Sequence, residues 1–300
     1  MNLPKRIRIK GWNDTLNQMN NFGFEDVFRF FLNYEAKNSE NSCDYLLKKM
    51  HFHWKTMKNA ITKGLEKPNI TTSKFIQGGA FHMKQFALSG HSLLDSSYSI
   101  MISRILAVAE LNACMGKIVA APTAGSCGII PGVLLSVAEK HKISEKNLVE
   151  SLFVAGGIGE IISIRASLSG STHGCQAEVG SASAMAAGAL VYMMEGNLEM
   201  IESAAAFALK NILGLVCDPI AGRVEIPCIK RNVLGGCNAL ASAEMALAGI
   251  ATNIPLDEVI DAMASIGNLI PCSLKETSQG GLAITPSALV LQNQIKDLKG

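Results

Sequence analysis

Three cysteines stand in the two stretches of this chain that interrupt an otherwise helical pattern. Cys175 lies in Ser169-Gly-Ser-Thr-His-Gly-Cys-Gln-Ala-Glu-Val-Gly180. Cys217 and Cys228 bracket Cys-Asp-Pro-Ile-Ala-Gly-Arg-Val-Glu-Ile-Pro-Cys, which runs on into Ile-Lys-Arg-Asn232. In both stretches the thiol sits among Gly, Pro and small polar residues at the edge of an expected helix. Cys175 precedes one that begins near Gln176, Cys228 precedes one that begins near Arg231, and Cys217 follows a helix and opens a turn. A thiol at a helix N-terminus has a depressed pKa and is a ready thiolate ligand. Three thiolates without a nearby fourth can hold a four-iron cluster with one iron left open. An open iron is a Lewis acid that can bind a carboxylate and draw on a hydroxyl leaving group. Spacing does not single out this chemistry, because the chain has no Cys-x-x-Cys run. At any one of these positions a small buried residue is the commoner explanation. The other five cysteines, Cys43, Cys114, Cys127, Cys237 and Cys272, carry that plain reading, with Cys127 set apart by its place in Pro122-Thr-Ala-Gly-Ser-Cys-Gly128.

The elements that must position these thiols read as helices. Leu46, Leu47, Met50, Trp54 and Met57 recur at steps of three and four within Cys43 to Glu66 and define one helix face. Further helices are predicted over 93–116, 131–141, 145–164, 176–195, 198–213, 233–250 and 256–266. Ser144 and Asn197 are the expected N-caps of the third and fifth of these, and Pro131 opens the second. Alternating β-branched and aromatic runs are scarce, so the fold class is all-α. Composition changes along the chain. Residues 1–70 are rich in Lys, Asn and Phe and hold both tryptophans, and they form a helical N-terminal region. Residues 71–300, dominated beyond Ser92 by Ala, Gly, Ser, Ile and Leu, form an all-helical catalytic domain.

Of the 300 residues, 48% are hydrophobic and 17% charged, which implies extensive burial, subunit contacts included. The net charge is +2, and the basic residues are scattered, with their densest cluster at Lys5-Arg6-Ile7-Arg8-Ile9-Lys10. A nucleic-acid partner would call for a concentrated basic stripe, so none is expected. Positive charge near the start has no apolar run behind it, as a secretory signal would need. Eight cysteines then point to a reducing, cytoplasmic setting. The uncharged run from Ile118 to Ala138 is long enough to suggest a membrane span. Pro122, Pro131 and several glycines argue instead for a buried loop entering a core helix.

Four longer motifs add a family. Ala121-PTAGSCGIIPG132, Gly174-CQAEVGSASAMAAG188, Gly214-LVCDPIAGRVEIPCIKRN232 and Leu274-KETSQGGLAITP286 occur in that order. Over about residues 74–288 the chain resembles the α chain of iron–sulfur-dependent L-serine dehydratase (L-serine ammonia-lyase). The resemblance implies an all-helical catalytic domain with a [4Fe-4S] cluster on Cys175, Cys217 and Cys228, and conversion of L-serine to pyruvate and ammonia. It also implies that Thr123, Ala124, Gly125 and Ser126 cradle the substrate's carboxylate or amine, with Asn232 and Lys275 as further substrate-binding candidates. The plain alternative for the loop is an ordinary Gly-containing turn, which the family match disfavours, whereas Lys230-Arg231 could equally be an ordinary solvated helix start. The catalytic base is not identified. His173, two residues before a ligand, is a candidate, and the alternative is a histidine in an SSHT-type motif on a separate β chain. That motif is absent here, and the cysteine that closes single-chain members is replaced by Asp297-Leu-Lys-Gly300. The expected partner is therefore a β chain.

Other chemistries compete. Thr72-Ser73-Lys74-Phe75 near glycines suggests a pyridoxal-phosphate enzyme, but that cofactor is typically housed in an α/β framework. A zinc hydrolase could use His173, Cys175 and Cys217, although His51 and His53, two apart, point to different sides of a helix. A membrane or scaffold protein is weakened by Pro122 and Pro131, while a lyase of the same family acting on another small amino acid such as L-cysteine (a desulfidase) remains open.

Overall fold

The computed structural model describes residues 6–297; Lys5 of the basic cluster and residues 298–300 lie outside it. Among the described residues there are thirteen α-helices and no strand. They are α1 (Trp12–Phe22), α2 (Val27–Ser39), α3 (Cys43–Glu66), α4 (Gly79–Leu88), α5 (Ser96–Ala113), α6 (Ile129–His141), α7 (Glu145–Arg165), α8 (Gly170–His173), α9 (Ser181–Met193), α10 (Leu198–Lys210), α11 (Cys228–Leu247), α12 (Leu256–Leu269) and α13 (Pro286–Asp297). The all-α class is the one expected from the sequence. Ser144 and Asn197 cap α7 and α10 as expected, their side chains accepting from the Asn147 and Met200 amides.

Helix α9 is the axis of the fold. Twelve of its thirteen residues are buried, and eight of the thirteen are Ala, Gly or Ser. Small side chains let neighbours come close, and α6, α7, α10 and α11 all pack on it. Gly188 faces Ile158 of α7 so closely that any Cβ would collide with it. Some of the polar atoms this brings into the core are paired, although the buried Ser181 hydroxyl has no partner. Ser183 donates to the Gly235 carbonyl at 2.8 Å, and Asn238 reaches both Ser183 Oγ and the Ala208 carbonyl.

The change of composition along the chain is not a change of core. Trp12, Phe30, Phe31 and Trp54 belong to the same buried cluster as Ile158, Leu190 and Ile260. The first helix is tied on by a carboxylate from the other end of the chain. Asp257 of α12 accepts from the Trp12 amide at 2.7 Å and the Asn13 amide at 3.2 Å, and Gly11 leaves it room. This supplies the acceptors that the first turn of α1 lacks.

The uncharged run at 118–138 is a loop, a 3₁₀ turn at Ala124–Ser126 and the start of α6. One helix, α7, is long and apolar enough to cross a membrane, and 67% of its most apolar window is buried against the other helices.

Several boundaries depart from the sequence expectations; α6, for one, opens at Ile129 rather than at Pro131, which lies inside its first turn. Helix α5 starts at Ser96, later than expected, because Asp95 accepts from the Ser97 amide and caps it there. Helix α11 starts at Cys228 itself rather than near Arg231. Residues 176–180 form a turn of π-helix before α9.

Candidate metal centre

The site is assembled from four pieces of backbone. Helix α8 and the π turn carry Cys175, the segment after α10 carries Cys217, the first turn of α11 carries Cys228, and residues 274–276 close the side. Closure uses the main chain. The Cys217 amide donates to the Leu274 carbonyl at 2.9 Å, and the Glu276 amide donates to the Cys217 carbonyl at 2.7 Å, a single parallel bridge. The conformation of Cys217 is thus fixed by a segment far along the chain. Behind it, Asp218 Oδ2 accepts from the Leu282 amide at 2.8 Å.

All three thiols are buried, Cys175 at 2%, Cys217 at 3% and Cys228 at 8% exposure. The Cys217 thiol donates to the Cys175 sulfur, which holds Cys175 below the ordinary thiol range, and the Arg231 guanidinium adds to that effect. Cys217, as the donor, is pushed up, with burial adding to the shift. Burial pushes Cys228 up to about 12, with the charge on Cys175 contributing. Here the sequence reading needs correction. A helix N-terminus alone does not make Cys228 a ready thiolate, because the cost of desolvating its charge outweighs the helix field. A cation bound among the three sulfurs would reverse that balance.

Arg231 is the positive charge at the centre. It pairs with buried Asp218 at 2.8 Å and donates to the Val216 carbonyl at 2.9 Å, so its guanidinium is locked beside Cys175. Its neighbour Lys230 is exposed.

Glu178 was missed by the sequence reading. One carboxylate oxygen of Glu178 and the sulfurs of Cys175 and Cys217 all lie within 4.8 Å of one another. Two glycines make the space. A Cβ on Gly125 would stand 3.1 Å from Glu178 Oε1. One on Gly170 would stand 2.8 Å from Oε2 and 3.1 Å from the Cys217 sulfur. Burial raises the Glu178 pKa, a hydrogen bond from Thr123 opposes the rise, and Glu276 adds to it. Its signal in the sequence was its place three residues after Cys175, where a helical turn brings both side chains to one side.

The expected substrate loop lies against this group. Thr123 meets both Glu178 and Ser126, the latter at 3.1 Å. Ala124 is exposed and Ser126 fully buried. Asn232 sits at 1% exposure with its amide engaged by protein: Nδ2 donates to the Gly125 and Cys228 carbonyls at 2.7 and 3.0 Å, and Oδ1 accepts from the Gly128 amide at 3.0 Å. It latches the 123–128 loop to the turn that carries Cys228. Lys275 is half-buried in the segment bridged to Cys217.

His173 is turned elsewhere. Its ring packs on α12 where Gly267 has no side chain, and a Cβ there would collide with it. Burial and then Lys275 lower its pKa, a contact with Asn268 opposes them, and Nδ1 has no partner. The donor atoms gathered within 4.8 Å of one another come from Cys175, Glu178 and Cys217; His173 and the predicted ligand Cys228 are both outside that group. Cys127 is buried with its thiol toward the Val108 carbonyl, and Cys272 is exposed.

Comparison with known proteins follows the same motifs. The sequence model for the family described as "Serine dehydratase alpha chain" matches residues 26–283. The chain belongs to the serine dehydratase alpha chain family. Within it, the chain is 46% identical over 262 residues to the probable L-serine dehydratase alpha chain of Bacillus subtilis (strain 168), covering 87% of each chain. It is 42% identical over 257 residues to the L-serine dehydratase alpha chain of Peptoniphilus asaccharolyticus, covering 86% of this chain and 88% of that one. The match to L-serine dehydratase TdcG of Escherichia coli (strain K12) is 35% over 237 residues and takes in 77% of this chain but 52% of that longer protein. The family match begins well upstream of residue 74 and takes in all of α2 and α3.

Proposed function

We propose that this chain is the catalytic α subunit of an L-serine dehydratase. It would convert L-serine to pyruvate and ammonia with a [4Fe-4S] cluster held by Cys175, Cys217 and Cys228. One observation carries the reading: the buried Cys175 and Cys217 thiols, from separate family motifs, come together with a locked arginine beside Cys175, and buried Cys228 is near enough to feel the charge on Cys175. The donor set fits the cluster, since sulfur ligands favour iron–sulfur centres and three of them leave one iron uncapped. Glycine at 170, where a Cβ would press on the Cys217 sulfur, keeps the space clear.

When bound, the cluster supplies a Lewis-acidic iron to a carboxylate and a departing hydroxyl. The protein's own residues do the rest. Arg231 offsets thiolate charge in a site of low dielectric. The 123–128 loop, held by Asn232, offers backbone amides and the Thr123 and Ser126 hydroxyls to the substrate carboxylate, which acidifies the Cα–H. The net reaction loses the Cα proton and hydroxide as water, and the same equivalent of water returns when the nitrogen leaves as ammonia. Within this group Glu178 is the only carboxylate beside the thiols. The acceptor of the Cα proton is assigned to a β chain, which the relatives' designation as alpha chains supports.

The test is anaerobic purification followed by visible absorption, iron and sulfide analysis, and pyruvate release from L-serine with and without the β chain. A broad brown sulfide-to-iron band, lost in Cys175→Ser and Cys217→Ser but kept in Cys43→Ser, is the expected result. A protein still colourless after iron and sulfide reconstitution, or equal iron in all three variants, would sink the assignment.

A further inference from the structure

Building on the cluster reading, we infer that Glu178 is the fourth donor: in the resting protein its carboxylate occupies the iron that the three thiols leave uncapped, and it yields that position to the substrate's carboxylate.

The geometry brings Glu178 there without any partner chain. Its carboxylate shares a 4.8 Å sphere with two ligand sulfurs. Among the described residues Glu178 forms no ion pair, and Arg231 is already taken by Asp218. A half-buried carboxylate beside thiols, with no cation of its own, is what a bound cation would compensate. The two glycines facing its oxygens leave no side chain between carboxylate and sulfur. Thr123 holds it from the substrate loop, so release of the carboxylate and arrival of substrate act on the same hydroxyl. Residues 176–180 adopt a π turn, an irregularity that is frequent at functional sites.

The chemistry suits an exchangeable cap. Carboxylate oxygen is a harder donor than thiolate and binds a thiophilic iron less firmly. An α-amino acid presents the same functional group, so exchange is like for like. The cap also keeps the fourth iron from being lost when substrate is absent. Oxidative loss runs as [4Fe-4S]2+ giving [3Fe-4S]+, Fe2+ and one electron, with ferricyanide as the electron acceptor in the experiment.

Two measurements on the full-length reconstituted chain decide the matter. In wild-type protein labelled with [δ-13C]glutamate and reduced by one electron, electron–nuclear double resonance should show a 13C coupling to the cluster that disappears on adding L-serine. No coupling in a protein holding four irons would overturn the inference while leaving the cluster reading intact. In Glu178→Gln, ferricyanide should generate the [3Fe-4S]+ electron-paramagnetic-resonance signal on the order of tenfold faster than in wild type, as expected when a metal-supporting group is removed. A variant that loads four irons and loses one at the wild-type rate would also overturn it. Iron-free wild type after reconstitution would instead refute the cluster reading on which the inference stands. If Glu178→Gln does not fold, the labelled wild-type measurement alone settles the question.

Discussion

Arg231 and Asn232 sit side by side at the start of α11 and do different work. Arg231 neutralises: its guanidinium bonds Asp218 and the Val216 carbonyl while facing Cys175. Removing it leaves Asp218 buried without a counter-charge, a loss of about 3–5 kcal/mol for a buried pair. Arg231→Met should therefore lower the urea midpoint markedly and also reduce the iron retained per chain. Arg231→Lys, with its single point of charge, should recover part of the iron and little of the stability. Asn232 latches. Asn232→Ala strands the Gly125 carbonyl and the Gly128 amide, at about 1–3 kcal/mol for each buried group left unsatisfied. We expect lower stability by thermal denaturation and a raised KM for serine, because the proposed substrate loop is the one released. Glu178 escaped the sequence reading for a simple reason. A lone acid within a helical pattern reads as part of a solvated face, and only the approach of Gly125, Gly170 and Cys217 turns it inward.

At the scale of elements, stability and chemistry separate cleanly. The Asp257 carboxylate caps α1 far along the chain from the thiols. Asp257→Ala should cost about 1–2 kcal/mol, as for other lost N-caps, with iron content unchanged. Gly170→Ala should do the reverse. Its methyl would press on Cys217 and Glu178 but on no core helix, so iron loading should fall while the unfolding midpoint holds. Elements governed by local chemistry were legible in the sequence. Ser144 and Asn197 announced α7 and α10, and the apolar face of α3 was readable from its spacing. The π turn and the early start of α11 were not, since neither follows from neighbouring residue types alone. The pairing of Cys217 with residues 274–276 was equally hidden, because an isolated bridge leaves no periodic trace. The three cysteines were legible as a set only through the family motifs; their spacing alone was silent.

Across the whole molecule, acidic groups buried between helices set the response to pH. Glu110 is 2% exposed, accepts from the Ala80 amide at the start of α4, and leaves Oε2 without a partner. Burial raises its pKa, partly offset by its bonds to the α4 amides and by Lys230, and burial likewise raises that of Glu202. A carboxyl with a raised folded pKa binds more protons folded than unfolded. Stability then falls as pH rises from the unfolded value of about 4.3 through the folded one. Glu110→Gln should flatten that slope in denaturation midpoints taken across the range for the metal-free protein. An unchanged slope would mean that Glu110 opens to water. The single core also predicts that residues 1–70 and 71–300 unfold together, visible as one calorimetric transition.

The bridge between Cys217 and residues 274–276, with Asp218 bonded to Leu282, also bears on when the proposed cluster could be acquired. During synthesis the helices around α9 can gather as they emerge, but Cys217 has no fixed conformation until residue 282 has left the ribosome. On the proposed cluster reading, iron and sulfur would therefore be taken up only once residue 282 is free to fold. Newly made protein would pass through a folded, colourless stage whose lifetime is set by the assembly machinery and not by translation.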